Sequence, residues 1–309
     1  MSRPLTTRLP YMFTPDTTLM NQQFGLPGLL HFESGPGGLT QAVINSPLAK
    51  ARLALHGAQL LSWQPQGQRP VIWLSERAVF AQGQAVRGGI PLCWPWFGPR
   101  EGHSAHGFAR TSLWHVRATH ALDDGRVTIE LGLQDSQASR GIWDHAFDLS
   151  LRCTIGQDLA LDFSTHNRST RAMSLTQALH SYFCVGDIAQ TRVLGLSGCD
   201  YLDKTQGGAR LRQVGEVQFS GETDRIYLHS SGDCLIEDSA WKRRIRVAKQ
   251  GSHSTVVWNP WAERAAQLPD MVPQAWQHML CVETCNAGDD VLSLPPGAQH
   301  TLSARISLD

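Results

Sequence analysis

The 309-residue chain carries 27 basic and 27 acidic residues, so its formal net charge is zero. This balance excludes the broad basic surface by which proteins bind nucleic acid or an anionic membrane. Hydrophobic residues make up 41% and charged residues 17% of the chain, which excludes disorder and indicates a globular protein with a substantial core. The length allows two ordinary domains or one large all-β domain.

Cysteine usage and the N-terminal sequence predict a cytoplasmic protein. The seven cysteines form no CxxC pair, and several lie in apolar runs, which is typical of buried, reduced thiols. The first thirty residues have neither the apolar core nor the cleavage pattern of a secretory signal. No run approaches the roughly 18 apolar residues that a membrane span needs.

The first elements along the chain predict β-structure. A Pro-rich, polar arm covers residues 1–38. Within Ala51 to Trp63, apolar residues such as Leu53 and Leu55 alternate with small or polar ones, which is the period of a half-buried strand. A second short apolar run covers Val71 to Leu74. We expect a strand in the first of these two runs.

The stretch from Arg87 to Arg110, RGGIPLCWPWFGPREGHSAHGFAR, interrupts this pattern. Its paired glycines, prolines and large aromatics favour neither a helix nor a central strand, so a shaped loop is predicted. Arginine carries a planar fork of donors that suits phosphate, and tryptophan has a face on which a sugar ring can lie. We interpret the stretch as a pocket for a phosphorylated carbohydrate. The alternative is a packed turn with arginines on its rim.

Beyond the loop, short apolar runs recur every ten to fifteen residues or so and are separated by polar turns. This rhythm predicts an antiparallel sandwich or barrel. Helix is predicted only over Pro260 to Gln267 and Val272 to Trp276. Because no internal repeat or linker is apparent, residues 39–309 are expected to form one all-β domain. The predicted strands are Ser112 to Thr119, Val127 to Leu133, Phe147 to Ile155, Leu159 to His166, Val193 to Leu196, Glu222 to Tyr227, Asp233 to Glu237, Arg244 to Lys249, Ser254 to Trp258, Met279 to Cys285 and His300 to Leu308.

Two residues inside predicted strands are candidates for proton transfer. Alternation over Met173 to Val185 places His180 on a polar face with Thr176 and Tyr182. Imidazole titrates near neutrality and suits proton transfer, and a structural hydrogen bond is the alternative role. Glu283 lies in MLCVETC, where a carboxylate is costly to bury without partners. It is a site candidate or the partner of a neighbouring arginine.

Other classes of site lack their usual spacing. The sequence has no HExxH or HxH motif, and the pairs His103 with His106 and Cys281 with Cys285 have no further ligands nearby, so no metal is expected. The chain also lacks a GxxxxGK[ST] loop, a GxGxxG between a strand and a helix, and a GxSxG elbow. Neither a nucleotide nor another cofactor is therefore predicted.

Six motifs occur in one order along the chain. They are RGGIPLCWPWFG at 87–98, HGFAR at 106–110, ALHSYF at 178–183, GETDRIY at 221–227, VVWNPW at 256–261 and CVE at 281–283. Together they resemble the hexose-6-phosphate mutarotases, also called glucose-6-phosphate 1-epimerases, of the aldose 1-epimerase superfamily, from about Ala51 to the C-terminus. The resemblance implies a galactose-mutarotase-like fold, a large antiparallel β-sandwich that holds the sugar on a concave sheet face. It also implies a cofactor-free interconversion of the α and β anomers of a 6-phosphorylated aldohexose.

The resemblance also implies roles for five residues. By position in the matching motifs, His180 would be the general acid and Glu283 the general base. Arg87 of RGGIP, Arg110 of HGxAR and Asp224 of the GE-x-D motif would contact the substrate.

Other positions in these motifs leave alternatives open. His106 would assist at the ring or C1 oxygen, or make a structural hydrogen bond in its tight loop. Some relatives have a glutamine before the HGxAR histidine, whereas this chain has Ala105, so a substrate contact from that side chain is absent or replaced. Trp96 or Trp258 would offer a plane to the sugar, or belong to the core.

Anomer exchange needs just such an acid and base. A proton leaves the C1 hydroxyl while another reaches the ring oxygen, the ring opens to the aldehyde, and closure follows on the other face. His180 must then start protonated, and we expect the nearby carboxylate to raise its pKa.

A mutarotase for free aldoses and a non-catalytic sugar-phosphate-binding protein are the alternative functions. We expect a monomer whose partner is a phosphorylated hexose, with no nucleic acid or membrane.

Overall fold

The computed structural model describes residues 15–309, and antiparallel strands dominate them. The strands are β1 (Leu30–Ser34), β2 (Thr40–Asn45), β3 (Ala49–Ala54), β4 (Gln59–Pro65), β5 (Leu92–Cys93), β6 (His115–Ala121), β7 (Val127–Gln134), β8 (Phe147–Ile155), β9 (Leu159–Asn167), β10 (Met173–Leu175), β11 (Gln177–Leu179), β12 (Tyr182–Cys184), β13 (Thr191–Leu194), β14 (Asp200–Asp203), β15 (Ala209–Arg212), β16 (Val217–Gln218), β17 (Thr223–Leu228), β18 (Cys234–Asp238), β19 (Arg243–Gln250), β20 (Ser254–Asn259), β21 (Met279–Asn286), β22 (Leu292–Leu294) and β23 (Gln299–Leu308).

Two large sheets form the body of the protein. The nine-stranded sheet has the order β16-β13-β18-β19-β23-β9-β8-β7-β6. The eight-stranded sheet runs β15-β14-β17-β20-β21-β11-β5, and β12 also pairs with β21. A four-stranded sheet of β1 to β4 and a two-stranded sheet of β10 and β22 complete the fold. The predicted all-β, antiparallel architecture is confirmed.

Buried side chains from both large sheets belong to one hydrophobic cluster. Phe163 from the nine-stranded sheet and Leu280, Val282 and Val257 from the eight-stranded sheet are all members of it. Because successive side chains of a strand point to opposite faces, Cys281, Glu283 and Cys285 of β21 face away from this core. The chemistry-bearing residues of β21 therefore lie on the outer face of the eight-stranded sheet.

Several predicted strands have different boundaries in the structure. The run from Ala51 to Trp63 folds as β3 and β4, joined by a turn in which Ala58 has a φ of 47°. Val71 to Leu74 forms only isolated bridges, between Ile72 and Phe183 and between Leu74 and Gly88. The run from Met173 to Val185 was predicted as one strand, but it is divided into β10, β11 and β12. Alternation alone could not show these breaks, because they depend on the strands alongside.

The described helices are short. Helix α1 (Thr17–Phe24) is capped by Asp16, and helix α2 (Gln137–Ile142) begins with a Ser136–Ser139 capping box. Neither was predicted. Helix α3 (Trp261–Ala266) lies within the predicted stretch, and a 3-10 turn at Ala275–His278 overlaps the end of the second one. None of these helices is long and apolar enough to cross a membrane.

The N-terminal arm predicted over residues 1–38 lies partly outside the described residues. Its described part contains α1 and β1, and β1 pairs with β2 in the four-stranded sheet. The seven cysteines are all free thiols in the structure, and five of them are buried.

Candidate active site

A cavity of about 340 Å³ lies on the outer face of the eight-stranded sheet. All six residues predicted for the site line it: His180, Glu283, Arg87, Arg110, Asp224 and His106. Sequence reasoning did not single out several further lining residues for this site, including Lys204, Glu222, Arg264 and Asp270. The cavity is thus lined by four cationic side chains, four carboxyl groups and two imidazoles.

Three adjacent strands form the floor. In β17, β20 and β21, Asp224 is the cross-strand partner of Trp258, and Val256 is the partner of Glu283. Their neighbours along the strands, such as Val257 and Val282, point into the core. Strand alternation therefore places a carboxylate at each end of the floor and an indole ring between them.

His180 reaches the cavity from the break between β11 and β12. Its backbone N–H donates to the carbonyl oxygen of Pro91 at 3.0 Å, which anchors the break to the loop predicted to shape the site. The imidazole stacks in parallel on the Tyr182 ring, with 4.8 Å between ring centroids. These contacts fix the ring plane of His180.

The imidazole and the carboxyl of the predicted acid and base face each other. Nδ1 of His180 lies 3.4 Å from Oε1 of Glu283. This contact is within ion-pair distance but lacks hydrogen-bond geometry, because Nδ1 of His180 has no hydrogen-bond partner among the described residues. The other carboxyl oxygen, Oε2 of Glu283, is also buried without a partner among them. The two groups are therefore close enough to share one proton after a small adjustment. Together with Cys281 they form the group of His, Cys, Asp or Glu side chains within residues 15–309 that could hold a metal ion.

The structure corrects one expectation about this pair. Burial, reinforced by the positive charges of Arg110 and Arg87, lowers the pKa of His180 well below its ordinary range. Burial also raises the pKa of Glu283 well above its ordinary range. The prediction that the carboxylate raises the pKa of His180 is wrong, because desolvation outweighs attraction between the two groups. Both shifts favour the neutral form of each group, with the proton on the carboxyl.

His106 is held as a neutral donor. Its φ of 65° is unusual for a residue other than glycine, and its Nδ1 accepts a hydrogen bond from the backbone N–H of Gly98 at 3.3 Å. Burial and the charges of Arg110, Lys204 and Arg87 lower its pKa to about 3. With Nδ1 occupied as an acceptor, the ring proton resides on Nε2. Both alternatives predicted for His106, a cavity group and a structural hydrogen bond, therefore apply.

The two predicted arginines are held differently. Arg87 donates from Nε to Asp270 and from a terminal nitrogen to the Tyr182 hydroxyl, each at 3.2 Å. Arg110 donates to the backbone oxygen of Ala105 at 2.8 Å, and its buried Nε has no partner among the described residues. Ala105 lines the cavity, and its carbonyl group holds the guanidinium of Arg110.

Lys204 is a cavity cation that sequence reasoning missed. It begins a 3-10 turn after β14, and its Nζ lies 3.5 Å from Oδ1 of Asp224 and 4.9 Å from the centroid of the Phe97 ring. Burial raises the pKa of Asp224, although Lys204 opposes that shift. The surrounding DKTQGG predicts only a polar turn, so nothing local distinguishes Lys204 from a surface lysine.

The two candidate tryptophans have different positions: one lines the cavity and the other does not. Trp258 lines the cavity and meets the His180 ring edge to face, with 6.3 Å between centroids. Trp96 does not line the cavity and packs against Phe108. The guanidinium of Arg100 lies over the Trp96 ring, 4.6 Å from its centroid. Trp258 is therefore the indole available to a bound ring, and Trp96 is part of the core.

Comparison with known proteins gives matches over most of the chain. A family model described as aldose 1-epimerase matches residues 41–307. A protein of Salmonella typhimurium named "Putative glucose-6-phosphate 1-epimerase" is 39% identical over 248 residues, which cover 79% of this chain and 82% of that protein. A protein of Escherichia coli K12 with the same name is 38% identical over 250 residues, covering 80% and 83%.

The fold matches solved structures as well. The crystal structure of a protein described as a putative mutarotase from Salmonella typhimurium superposes with a TM-score of 0.86 at 34% identity. The match covers 94% of this chain and 99% of that one. A galactose mutarotase-like protein of Clostridium acetobutylicum, at 13% identity and a TM-score of 0.71, shares the fold.

Proposed function

The chain belongs to the aldose 1-epimerase family, and from this premise we propose that it interconverts the α and β anomers of an aldohexose 6-phosphate. The observation that carries the proposal is the 3.4 Å approach of His180 to Glu283 on the floor of a cavity lined by four cations. An acid and a base are the two groups that ring opening needs. Glucose 6-phosphate is the substrate that the names of the matched relatives suggest.

We place the reacting end of the sugar over this pair. Glu283 takes the proton of the C1 hydroxyl while His180 gives a proton to the ring oxygen, and the bond between C1 and the ring oxygen breaks to leave the open-chain aldehyde. Rotation about the C1 to C2 bond presents the other face of the carbonyl. Glu283 then returns its proton to the carbonyl oxygen, and His180 takes one back from the attacking hydroxyl. The pair ends as it began, so one enzyme turns over in both directions.

The pair must first move its proton. The pKa shifts of His180 and Glu283 favour a neutral pair with the proton on Glu283, whereas ring opening as proposed starts from carboxylate and imidazolium. Transfer from Glu283 to His180 across the 3.4 Å gap creates this form without taking a proton from solvent. A bound phosphate dianion would favour the transfer, since negative charge nearby stabilises an imidazolium. The Nε2–H of His106 is then available to donate to the C1 or ring oxygen.

The cations favour a phosphate ester over a free aldose. Arg87, Arg110, Lys204 and Arg264 all line the cavity, and each charge-assisted hydrogen bond to phosphate is worth about 1.5 to 3 kcal/mol. Arg87 and Lys204 already lie beside Asp270 and Asp224, but the buried Nε of Arg110 has no partner among the described residues, so a phosphate oxygen would satisfy a donor that a neutral sugar satisfies less well. We propose that Asp224 accepts from ring hydroxyls and that Trp258 lies against the sugar ring.

The test is anomer exchange followed by saturation-transfer NMR. Exchange of glucose 6-phosphate far above its spontaneous rate, with weak or no effect on glucose at the same concentration, supports the proposal. Faster exchange of glucose would make the protein a free-aldose epimerase. Tight binding of glucose 6-phosphate without added exchange would make it a sugar-phosphate-binding protein.

We further propose that the protein acts in the cytoplasm as a monomer. All seven cysteines are free, which suits a reducing compartment. All six residues predicted for the site line one cavity of this chain. Sedimentation velocity at the concentration of the exchange assay tests the oligomeric state.

A further inference from the structure

A cysteine lies directly beside the proposed acid and base. One ligand atom from each of His180, Cys281 and Glu283 falls within 4.8 Å of the other two. Cys281 and Glu283 are two residues apart on β21, so both side chains point to the same face. Cys281 is also the cross-strand partner of Tyr182, the residue on which His180 stacks. The strand register therefore assembles a thiol, an imidazole and a carboxyl at one point.

Two atoms of this cluster have no hydrogen-bond partner among the described residues: Nδ1 of His180 and Oε2 of Glu283. His180 is 8% exposed and Glu283 is 1% exposed, so water cannot readily satisfy either atom. Burying a polar atom without a partner is costly, and a ligand that satisfies both atoms recovers that cost. The cluster is thus prepared for a ligand that accepts electron pairs.

The three donor types select the class of ion. Sulfur, imidazole nitrogen and carboxylate oxygen together are typical of zinc sites, whereas magnesium and calcium prefer oxygen ligands alone. Three protein ligands leave a fourth position open on a tetrahedral ion. Two of the three ligands, His180 and Glu283, line the cavity, so an ion could reach the cluster from there.

We propose that His180, Cys281 and Glu283 form a binding site for zinc or a similar soft divalent cation, and that an ion bound there stops anomer exchange. Binding releases the thiol proton and the carboxyl proton to solvent as the ion takes the three lone pairs. The ion then occupies both groups that move protons, and the enzyme is inhibited. The binding site rests on the geometry alone, and the inhibition also rests on the proposed function.

Cadmium is the probe for binding, because a thiolate bound to cadmium absorbs in the ultraviolet by charge transfer. We expect the purified protein to bind one cadmium ion per chain with this absorption, and zinc to slow glucose 6-phosphate exchange. Cys281→Ala should abolish the absorption and weaken zinc inhibition at least about tenfold, measured against its own metal-free rate. The matched control is Cys153→Ala, a buried cysteine in the nine-stranded sheet, which should behave as wild type.

The outcomes separate the two claims. Wild-type protein without the absorption, or Cys281→Ala that keeps both the absorption and the zinc sensitivity, overturns the site. Cadmium absorption that is lost in Cys281→Ala, combined with exchange that zinc leaves unchanged, keeps the site and contradicts the proposed role of His180 and Glu283. Should Cys281→Ala not fold, Cys281→Ser and Glu283→Gln are titrated with cadmium, and wild-type absorption and affinity in both variants overturns the proposal.

Discussion

Arg87 and Asp270 are 183 residues apart in sequence and form an ion pair at the cavity wall, with 3.2 Å between Nε and Oδ2. A terminal nitrogen of the same guanidinium donates to the Tyr182 hydroxyl. Tyr182 in turn stacks on His180. The arginine that the sequence motif assigns to substrate binding therefore also connects the wall of the cavity to the proposed acid.

Replacing Arg87 by lysine tests this connection. An ammonium group keeps the charge but lacks the fork that reaches Asp270 and Tyr182 together. We expect Arg87→Lys to lower the free energy of unfolding by about 1 to 2 kcal/mol and to raise KM for glucose 6-phosphate. Urea unfolding and exchange kinetics measure the two effects. The exposed Arg77→Lys is the control, and equal behaviour of the two variants would contradict the account.

Lys204 tests the preference for a phosphate ester. Removing its charge in Lys204→Met should raise KM for glucose 6-phosphate roughly tenfold to a hundredfold, because one charge-assisted contact is lost. Binding of free glucose, measured by competition, should change little. Lys50→Met, at an exposed position of strand β3, serves as the control. A similar loss of affinity for both sugars would show that Lys204 acts on the fold of the site and not on phosphate.

The loop that carries His106 depends on Gly107. Its φ is 72°, and a Cβ atom there would lie 1.9 Å from the carbonyl oxygen of Trp94. Gly107→Ala should therefore lower the free energy of unfolding by at least about 2 kcal/mol. Gly102 has the same φ and no heavy atom within 4 Å of such a Cβ, so Gly102→Ala isolates the backbone strain. Equal losses in the two variants would mean that the contact with Trp94 contributes nothing.

Glu283 should make the protein less stable as the pH rises. In the unfolded chain this carboxyl ionises above its ordinary pKa of 4.5, whereas burial raises its pKa well above that value in the folded protein. The folded state therefore binds more protons above pH 4.5, and its stability falls there by up to about 1.4 kcal/mol per pH unit. Glutamine does not titrate, so Glu283→Gln should be more stable than wild type by an amount that grows from pH 5 to pH 8.

Urea unfolding at a series of pH values measures this difference. The exposed Glu76→Gln is the control and should track wild type at each pH. A difference between Glu283→Gln and wild type that shrinks as the pH rises would contradict a buried, protonated carboxyl.

The strand rhythm and the motifs predicted the fold class and six cavity residues, because strand alternation and motif composition are local signals. Strand β8 has the predicted bounds, Phe147 to Ile155, so alternation alone was enough to locate this strand. The exposed charge of Lys204 and the position of Asp270 carried no such signal. Both become cavity residues only through the packing of distant segments.

The pKa values of the site could not be predicted from residue types either. A carboxyl beside an imidazole suggests mutual stabilisation of charge, and that reasoning holds where both groups are solvated. Here Glu283 and His180 are almost fully buried, and desolvation decides the protonation of each. The depth of burial is a property of the folded sheet and not of the motif.

The most direct test of the account compares anomer exchange of glucose 6-phosphate in wild type, His180→Asn and Glu283→Gln by saturation-transfer NMR. We predict that each substitution lowers the rate above background by about 10² to 10⁴, the usual contribution of one positioned proton-transfer group. Unfolding curves confirm that each variant is folded before its rate is measured. Exchange at the wild-type rate in both folded variants would contradict the proposal that His180 and Glu283 carry the reaction.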